Sequence, residues 1–445
     1  YRPGTKTYFL VMYSVFWLNQ IAYHVVSIGL HFIVSVLMYL LARKIFRNNL
    51  YASITGFVFL IASGYLEIVL WASATGHLFN AVFILISLLL FIMWHEKKHN
   101  ILLILSILSG TFSLLFYELG IVVPLLAGLY LFYSKEDLNL KSLVAVIKSK
   151  ALWALFIPNI LYFGVRLFSQ AHWSGGDYSY NLLKLPLNAV GNAVGYVMIS
   201  LLGPLSYPVY EKIRLATKTN IPLALITILV FVAVIVLFVR VIWPKIAKYE
   251  KRIIIFSFCF FIICLIPFLG LGNITYRYSY LASFGVFMVF ALLIGKTFSY
   301  LKDSGRDVAF AATGVLMTVF FLVHIIQAQQ VMIEWDGAGV KVERFLNSLD
   351  SLYSDSWRDR KEGVDLYFTN VPIKNGNAWV FPVGLSDAVW FAFRSDVVRV
   401  HTIPTLKEVP ASVYMQPYSS VFEFRDDGSL KKMSMDRMGN IIEDE

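Results

Sequence analysis

The chain has 445 residues, of which 58% are hydrophobic and 15% are charged, whereas soluble domains average roughly 45–50% and 25%. The apolar excess lies in residues 20–326 and excludes a wholly soluble globular protein, while residues 335–445 have an ordinary soluble composition. The net charge of +10 does not indicate a nucleic-acid partner, because Lys and Arg residues stand between apolar segments, as in membrane proteins.

Apolar segments of near-spanning length predict about ten membrane-crossing helices, since a span needs roughly 20 apolar residues. The two shortest neighbours are 101–116 and 118–133. The segment 186–204 is also long enough, but Asn188 and Asn192 give it a polar face, which favours a re-entrant or interfacial helix over a crossing. The predicted crossings are 23–42, 50–64, 77–94, 101–116, 118–133, 151–168, 221–242, 253–270, 278–295 and 308–326.

Basic residues indicate the orientation of these helices. Lys and Arg clusters follow the first, third, fifth, seventh and ninth crossings, so all five clusters fall on one face, which should be cytoplasmic. Residues 8–18 are too short to cross and are predicted to lie along the outer surface. The sequence therefore predicts a multi-pass protein, most simply of the plasma membrane, whose N-terminal and C-terminal ends are both extracytoplasmic.

The part that follows the last crossing is predicted to be a small soluble α/β domain at 340–445, after a transmembrane domain at 1–326. Residues 340–353 have helical periodicity, and residues 384–394 are predicted to form a helix between two strands. The predicted strands are Val364–Thr369, Ala378–Phe381, Val397–His401 and Val421–Arg425.

Cysteine and histidine residues provide little evidence for a metal site. Cys259 and Cys264 lie in one apolar run and are interpreted as apolar packing residues. His24 and His31 share a helix face, but two histidines alone favour helix packing over metal binding.

Acidic residues near the membrane are the first candidates for function, because ionisable groups at membrane depth are costly and mark sites by default. Glu67 lies in the predicted outer loop 65–76, four residues before Trp71, without a balancing Lys or Arg. Glu118 lies between two apolar runs. His77 opens the next helix, and helix N-termini attract anions. The structural alternatives are a solvated loop acid, an interfacial acid and a simple helix cap.

Arginine residues on the same predicted face are candidates for phosphate binding. Arg277, flanked by Tyr276 and Tyr278, enters a helix from an outer loop, and its guanidinium suits phosphate oxygens. Arg2 has the same chemistry, and Arg166 is a weaker candidate near the outer end of its helix. The alternative for Arg277 is an arginine that merely extends to the membrane interface.

These residues resemble motifs of the GT-C glycosyltransferases, specifically the protein O-mannosyltransferase-like branch that includes the transmembrane-and-tetratricopeptide proteins and their bacterial relatives. His77 stands where that branch has Arg, and Tyr276 stands where it has Glu. The 34-residue tetratricopeptide period is not visible here. The matching positions are Tyr1-Arg2-Pro3, Trp17-Leu18-Asn19, Tyr23-His24, His31, Glu67, Val69, Trp71, Gly76, His77, Asn80, Phe116-Tyr117-Glu118 and residues 276–283.

The resemblance implies a GT-C-like fold and transfer of a sugar from a polyprenyl-phosphate-linked donor to a protein or glycan hydroxyl at the extracytoplasmic face. It assigns phosphate binding to Arg277 and Arg2 and an orienting or auxiliary acid role to Glu67. Pocket-lining roles fall to His77, Glu118, Tyr278 and Trp71. It assigns no metal ligand here and leaves a divalent metal open. It places the catalytic Asp in a segment that would precede Tyr1.

Two other functions are compatible with the pattern. A transporter or lipid flippase would place polar residues near the bilayer midplane and would show internal repeats. In a membrane scaffold the C-terminal domain would carry the function, and the membrane part would have no outer cavity. Convergence of Glu67, His77, Glu118 and Arg277 would favour the enzyme over both.

Overall fold

The structure is a computed structural model, and it describes residues 2–168, 184–351, 363–436 and 438–444. Tyr1, the first residue of the Tyr-Arg-Pro motif, lies outside these ranges. The chain forms two compact units, Tyr1–Ala328 and Gln329–Glu445.

The first unit is built from helices. Helix α3 has only 13 residues, because the backbone becomes extended at Ala62 and the helix ends there. The helices are α1 (Pro3–Phe16), α2 (Gln20–Phe46), α3 (Asn49–Ile61), α4 (Glu67–Leu70), α5 (Thr75–Lys97), α6 (Asn100–Phe116), α7 (Val123–Tyr133), α8 (Leu140–Ile147), α9 (Lys150–Phe168), α10 (Leu185–Leu202), α11 (Ser206–Thr219), α12 (Ile221–Leu237), α13 (Lys248–Leu269), α14 (Ser279–Asp303) and α15 (Asp307–Ser351).

Among the described residues, seven helical segments are long and apolar enough to cross a membrane. Many of their side chains are apolar and exposed, such as Ile21 at 71% on α2 and Leu161 at 64% on α9. An apolar surface of this extent is unfavourable in water and is stable in contact with lipid. The chain is an integral membrane protein. The seven segments are Gln20–Phe46, Ala72–Lys97, Lys150–Phe168, Leu185–Leu202, Lys248–Leu269, Tyr276–Asp303 and Asp307–Ser351.

The predicted total of about ten crossings agrees with the structure only in part. Six predicted crossings are among the seven long segments, whereas 50–64, 101–116 and 118–133 form shorter apolar helices. The tenth, 221–242, contains the 17-residue helix α12. The seventh long segment is α10, from the stretch predicted to be re-entrant, and its re-entrant character stays a prediction. The surface helix expected at 8–18 begins earlier, at Pro3.

The polar face of α10 has a structural explanation. The buried side chain of Asn192 donates through Nδ2 to the carbonyl oxygens of Phe268, Leu269 and Leu271, at 3.2, 3.0 and 2.9 Å. These carbonyls lie at and just after the end of α13, where carbonyl groups need partners from outside the helix. An amide on α10 therefore supplies hydrogen bonds to the end of the neighbouring helix.

The C-terminal unit contains the second half of α15 and a five-stranded sheet. Phe345 of α15 is fully buried against this sheet, where its ring stacks on Phe424 at a centroid distance of 5.3 Å. The later elements are β1 (Val364–Thr369), β2 (Lys374–Asn375), β3 (Ala378–Trp379), α16 (Leu385–Phe393), β4 (Val398–Ile403), α17 (Ala411–Tyr414), β5 (Ser419–Phe424), β6 (Leu430–Met435) and β7 (Ile441–Glu443).

The sheet has the order β4-β1-β5-β6-β7, with β1 parallel to both β4 and β5 and with antiparallel pairing from β5 onward. The predicted strand at Val364–Thr369 and the predicted helix at 384–394 are confirmed. The strand expected at 378–381 is only Ala378–Trp379, and it pairs with Lys374–Asn375 outside the main sheet. Strands β6 and β7 were not predicted, because the Lys and Met residues of β6 lack a clear alternation and β7 is only three residues long.

Candidate functional site

The segment between α3 and α5 is the first part of the site. It was predicted to be an outer loop, but it folds as three short helical turns, Ser63–Tyr65, Glu67–Leu70 and Ala72–Ala74. A glycine is needed at position 64, because a Cβ there would lie 2.2 Å from the carbonyl oxygen of Ile199. The segment is therefore pressed against α10, and Glu67 is 7% exposed. The alternative of a solvated loop acid is wrong for Glu67.

Glu67 and Arg277 form a buried ion pair. Nη1 of Arg277 donates to Oε1 of Glu67 at 2.8 Å, and the two side chains are 14% and 7% exposed. The guanidinium carbon also lies 5.4 Å from the ring centroid of Trp71 and 5.2 Å from that of Tyr278. The carboxylate and the two aromatic rings thus take the place of the water molecules that would otherwise hydrate the guanidinium. Four predicted site residues meet here.

A second charged cluster surrounds Glu118. Arg2 donates to Oε2 of Glu118 through Nη2 at 2.9 Å and through Nε at 3.2 Å. Arg166 donates through Nη1 to Oε1 of Glu118 at 3.2 Å and to the hydroxyl of Tyr162 at 2.8 Å. The guanidinium of Arg2 lies 4.4 Å from the ring centroid of Tyr117. The carboxylate of Glu118 therefore binds two arginines that are far apart in the sequence.

His77 lies between the two clusters. Its ring centroid is 3.9 Å from that of Tyr117. A narrow cleft with a volume of about 10 Å³ is lined by residues of both clusters, His77, Tyr117, Arg277 and Tyr278 among them. The structure therefore brings all seven predicted site residues to one region.

All of these residues lie at the helix ends that are remote from the Lys and Arg clusters. Arg277 precedes α14, whose other end carries Lys302, and Arg166 is near the end of α9, which begins at Lys150. Among the ion pairs of the described residues here, three guanidinium groups (Arg2, Arg166 and Arg277) contact two carboxylates (Glu67 and Glu118). The region is suited to an anionic ligand.

Other candidates have structural roles. Asn80 donates through Nδ2 to the carbonyl oxygens of Ser113 and Tyr117, both at 2.9 Å, and so completes the end of α6. His31 is buried, with Nδ1 2.8 Å from the Tyr280 hydroxyl and Nε2 3.1 Å from the Leu60 carbonyl oxygen. Within the described ranges, His, Cys, Asp and Glu side chains form no group of three that could hold a metal ion.

No family model matches the chain, and no curated protein matches it. Among solved structures, the chain is similar to the crystal structure of ArnT from Cupriavidus metallidurans in the apo state, with 13% sequence identity and a TM-score of 0.38. The match covers 96% of this chain and 82% of ArnT. At this level no residue role follows from the similarity.

The sequence predicted Arg166 only as a weaker candidate and did not predict Tyr162. Both stand on α9 and are four residues apart, so they occupy one face of that helix. The spacing was visible in the sequence. What could not be seen was that this face of α9 turns towards Glu118.

Proposed function

We propose that this protein is a GT-C-type membrane glycosyltransferase that takes a sugar from a polyprenyl-phosphate-linked donor. The acceptor in this proposal is a protein or glycan hydroxyl at the extracytoplasmic face. The observation that carries the proposal is the placement of two ion pairs, Glu67 with Arg277 and Glu118 with Arg2, at the helix ends remote from the basic clusters. His77 and Arg277 line one cleft there. The motif resemblance to the O-mannosyltransferase-like branch supports the same assignment.

The arginines of the site fit a phosphate-bearing substrate. The site holds several arginines at one end of the helices. Carboxylates contact them at distances that a guanidinium also uses for phosphate oxygens. In a region with little water, a fixed positive charge stabilises a developing anion more strongly than it would in solution. The same arginines can therefore bind the donor phosphate and stabilise it as it leaves.

The reaction is a nucleophilic substitution at the anomeric carbon. The acceptor oxygen forms a bond to that carbon while the bond from carbon to the phosphate oxygen breaks, and the lipid phosphate leaves with the bonding electrons. Arg277 and Arg2 stabilise the leaving phosphate. The hydroxyl proton passes to a general base. Glu67 orients Arg277 through the hydrogen bond of 2.8 Å between them.

The pocket residues have distinct tasks in this proposal. The rings of Tyr278 and Trp71 lie 5.2 and 5.4 Å from the guanidinium carbon of Arg277 and help to position it. His77 lines the cleft together with Arg277. Glu118 holds Arg2 through hydrogen bonds of 2.9 and 3.2 Å.

The test is sugar transfer by purified full-length protein in proteoliposomes with labelled polyprenyl-phosphate sugars. We expect Arg277→Ala to reduce transfer by about tenfold to a thousandfold, the range for loss of one charge-stabilising group. Arg277→Lys should restore part of the rate, because it keeps the charge but loses the fork. Arg306→Ala, at the opposite end of α14, is the matched control and should leave transfer unchanged.

Equal transfer by wild type and Arg277→Ala would remove Arg277 from the mechanism. Movement of the intact labelled lipid across the bilayer, with no transfer of its sugar, would favour the transporter or flippase instead. Either outcome contradicts the proposal.

A further inference from the structure

Two buried polar side chains of α15 meet the end of α10. His324 and Gln327 are 1% and 3% exposed, and they are three residues apart, so they lie on one face of the helix. Nε2 of His324 lies 3.1 Å from the carbonyl oxygen of Leu201. Nε2 of Gln327 donates to the carbonyl oxygen of Leu202 at 2.9 Å. Both side chains therefore supply hydrogen bonds to carbonyls that end a helix.

His324 has a second contact, with the segment that carries Glu67. Its Nδ1 lies 2.9 Å from the hydroxyl oxygen of Ser63 and accepts the backbone N–H of the same residue at 3.2 Å. Ser63 opens the first of the short turns between α3 and α5, and Glu67 follows four residues later. One imidazole on α15 therefore joins the end of α10 to the segment of the charged site.

The hydrogen-bond partners determine where the hydrogen of the His324 ring lies. A carbonyl oxygen only accepts, so Nε2 beside Leu201 carries the hydrogen. A backbone N–H only donates, so Nδ1 beside Ser63 offers a lone pair. The ring is therefore a neutral imidazole in one tautomer. Its acceptor faces the segment of the site, and its donor faces α10.

The turn that His324 contacts determines where the Glu67 carboxylate lies. The N–H of Leu66 donates to the carbonyl oxygen of Ser63 at 3.4 Å, and Glu67 is the next residue in the chain. The carboxylate of Glu67 in turn meets Nη1 of Arg277 at 2.8 Å. A shift of Ser63 is therefore passed through one short turn to the ion pair.

We propose that His324 is a positioning residue for the charged site: its neutral ring holds Ser63, and through that turn it places Glu67 and Arg277 for the donor phosphate. The inference rests on the proposed function and adds to it a residue of α15 that acts through other side chains. Misplacement of a reacting group by about 1 Å can cost roughly a hundredfold in rate. A hydrogen bond behind the site can therefore control transfer without touching the substrate.

Two amide variants separate the two contacts of the ring. In His324→Asn the amide oxygen takes roughly the place of Nδ1 and still accepts from Ser63, but the donor to Leu201 is lost. In His324→Gln the amide nitrogen takes roughly the place of Nε2 and still donates to Leu201, but the acceptor for Ser63 is lost. Each variant loses part of one buried set of hydrogen bonds, so both should lower Tm by similar amounts.

Only the contact with Ser63 should matter for the reaction. We expect His324→Gln to lower kcat for sugar transfer by about tenfold to a hundredfold, with a smaller change in KM, and His324→Asn to keep kcat close to the wild-type value. Gln327→Met, which loses its hydrogen bonds to the end of α10, is the matched control and should lower Tm but keep kcat. Equal kcat losses in the two His324 variants, or an equal loss in Gln327→Met, would indicate a merely structural role and would overturn the proposal.

Hydrogen exchange gives a second readout that needs no sugar transfer. Exchange of the full chain in nanodiscs reports on the backbone N–H groups of residues 63–71. His324→Gln should speed their exchange by about tenfold or more, the effect of one lost hydrogen bond, whereas His324→Asn and Gln327→Met should not. Unchanged exchange at 63–71 in His324→Gln would overturn the proposal.

The two readouts distinguish failure of this inference from failure of the proposed function. Transfer by wild type with equal kcat in the two His324 variants overturns the inference alone. Absence of transfer by wild type contradicts the proposed function, while exchange at 63–71 still decides whether His324 holds the segment. Ser63→Ala, which removes the hydroxyl beside Nδ1 and keeps the N–H, should have a smaller effect of the same kind in both assays and serves where His324→Gln does not fold.

Discussion

The buried ion pair between Glu67 and Arg277 allows a quantitative test of how the site is held together. The pair joins a short turn after α3 to the start of α14, 210 residues apart in sequence, at 2.8 Å. Removal of one partner of a buried pair costs about 3–5 kcal/mol, because the other charge is left without compensation. We expect this full cost for Arg277→Met, since Glu67 is only 7% exposed.

The reverse substitution should be milder. Glu67→Gln keeps the size of the side chain and one hydrogen-bond acceptor, and Arg277 keeps the faces of Trp71 and Tyr278 at 5.4 and 5.2 Å. We expect a loss of about 1–3 kcal/mol. The double variant removes both charges, so its loss should be smaller than the sum of the two by about 2 kcal/mol or more.

The assay is equilibrium unfolding of the purified protein in mixed micelles, with the free energy of unfolding measured for all four members of the cycle. The exposed pair between Lys248 and Asp137, also close at 3.0 Å but with side chains 75% and 65% exposed, is the control. Its coupling should be about 0–1 kcal/mol. If the effects at Glu67 and Arg277 add to within about 0.5 kcal/mol, the pair does not hold the two segments together.

Two further predictions concern the helices that frame the site. Asn192→Ala removes the side-chain donor to the carbonyls at and just after the end of α13 and should lower the free energy of unfolding by about 1–3 kcal/mol; an unchanged unfolding midpoint would mean that other groups satisfy these carbonyls. Gly64→Ala places a Cβ 2.2 Å from the Ile199 carbonyl oxygen and should lower both Tm and transfer activity, whereas Gly29→Ala, with nothing within 4 Å, should be neutral or slightly stabilising in the same thermal scan.

Single residues explain where sequence-based prediction worked and where it failed. Arg277 and Glu67 were both predicted to act at one outer surface, because charge near apolar segments is conspicuous in any sequence. Their direct contact was not predicted, since nothing local at either position encodes a partner 210 residues away. The burial of Glu67 was missed for the same reason: the side chains that exclude water from it come from distant helices.

The polar face of α10 shows what the sequence could not reveal about a partner. Asn188 and Asn192 were interpreted as signs of a re-entrant helix, because polar residues in lipid need partners. The partner of Asn192 is the end of α13. A sequence shows that a polar side chain needs a hydrogen-bond partner, but it does not show which group is that partner.

The sequence by itself determined that the chain is a membrane protein. It also determined, in most cases to within a turn, the residues at which the helices begin and end, and it identified the residues that are chemically unusual. These properties depend on local composition and periodicity, which act over a few residues. Only the tertiary structure decided that Glu118 holds Arg2 and Arg166 together and that His324 of α15 contacts both Ser63 and the end of α10. Such contacts depend on how distant helices pack, and packing is set by the shapes of all the side chains together.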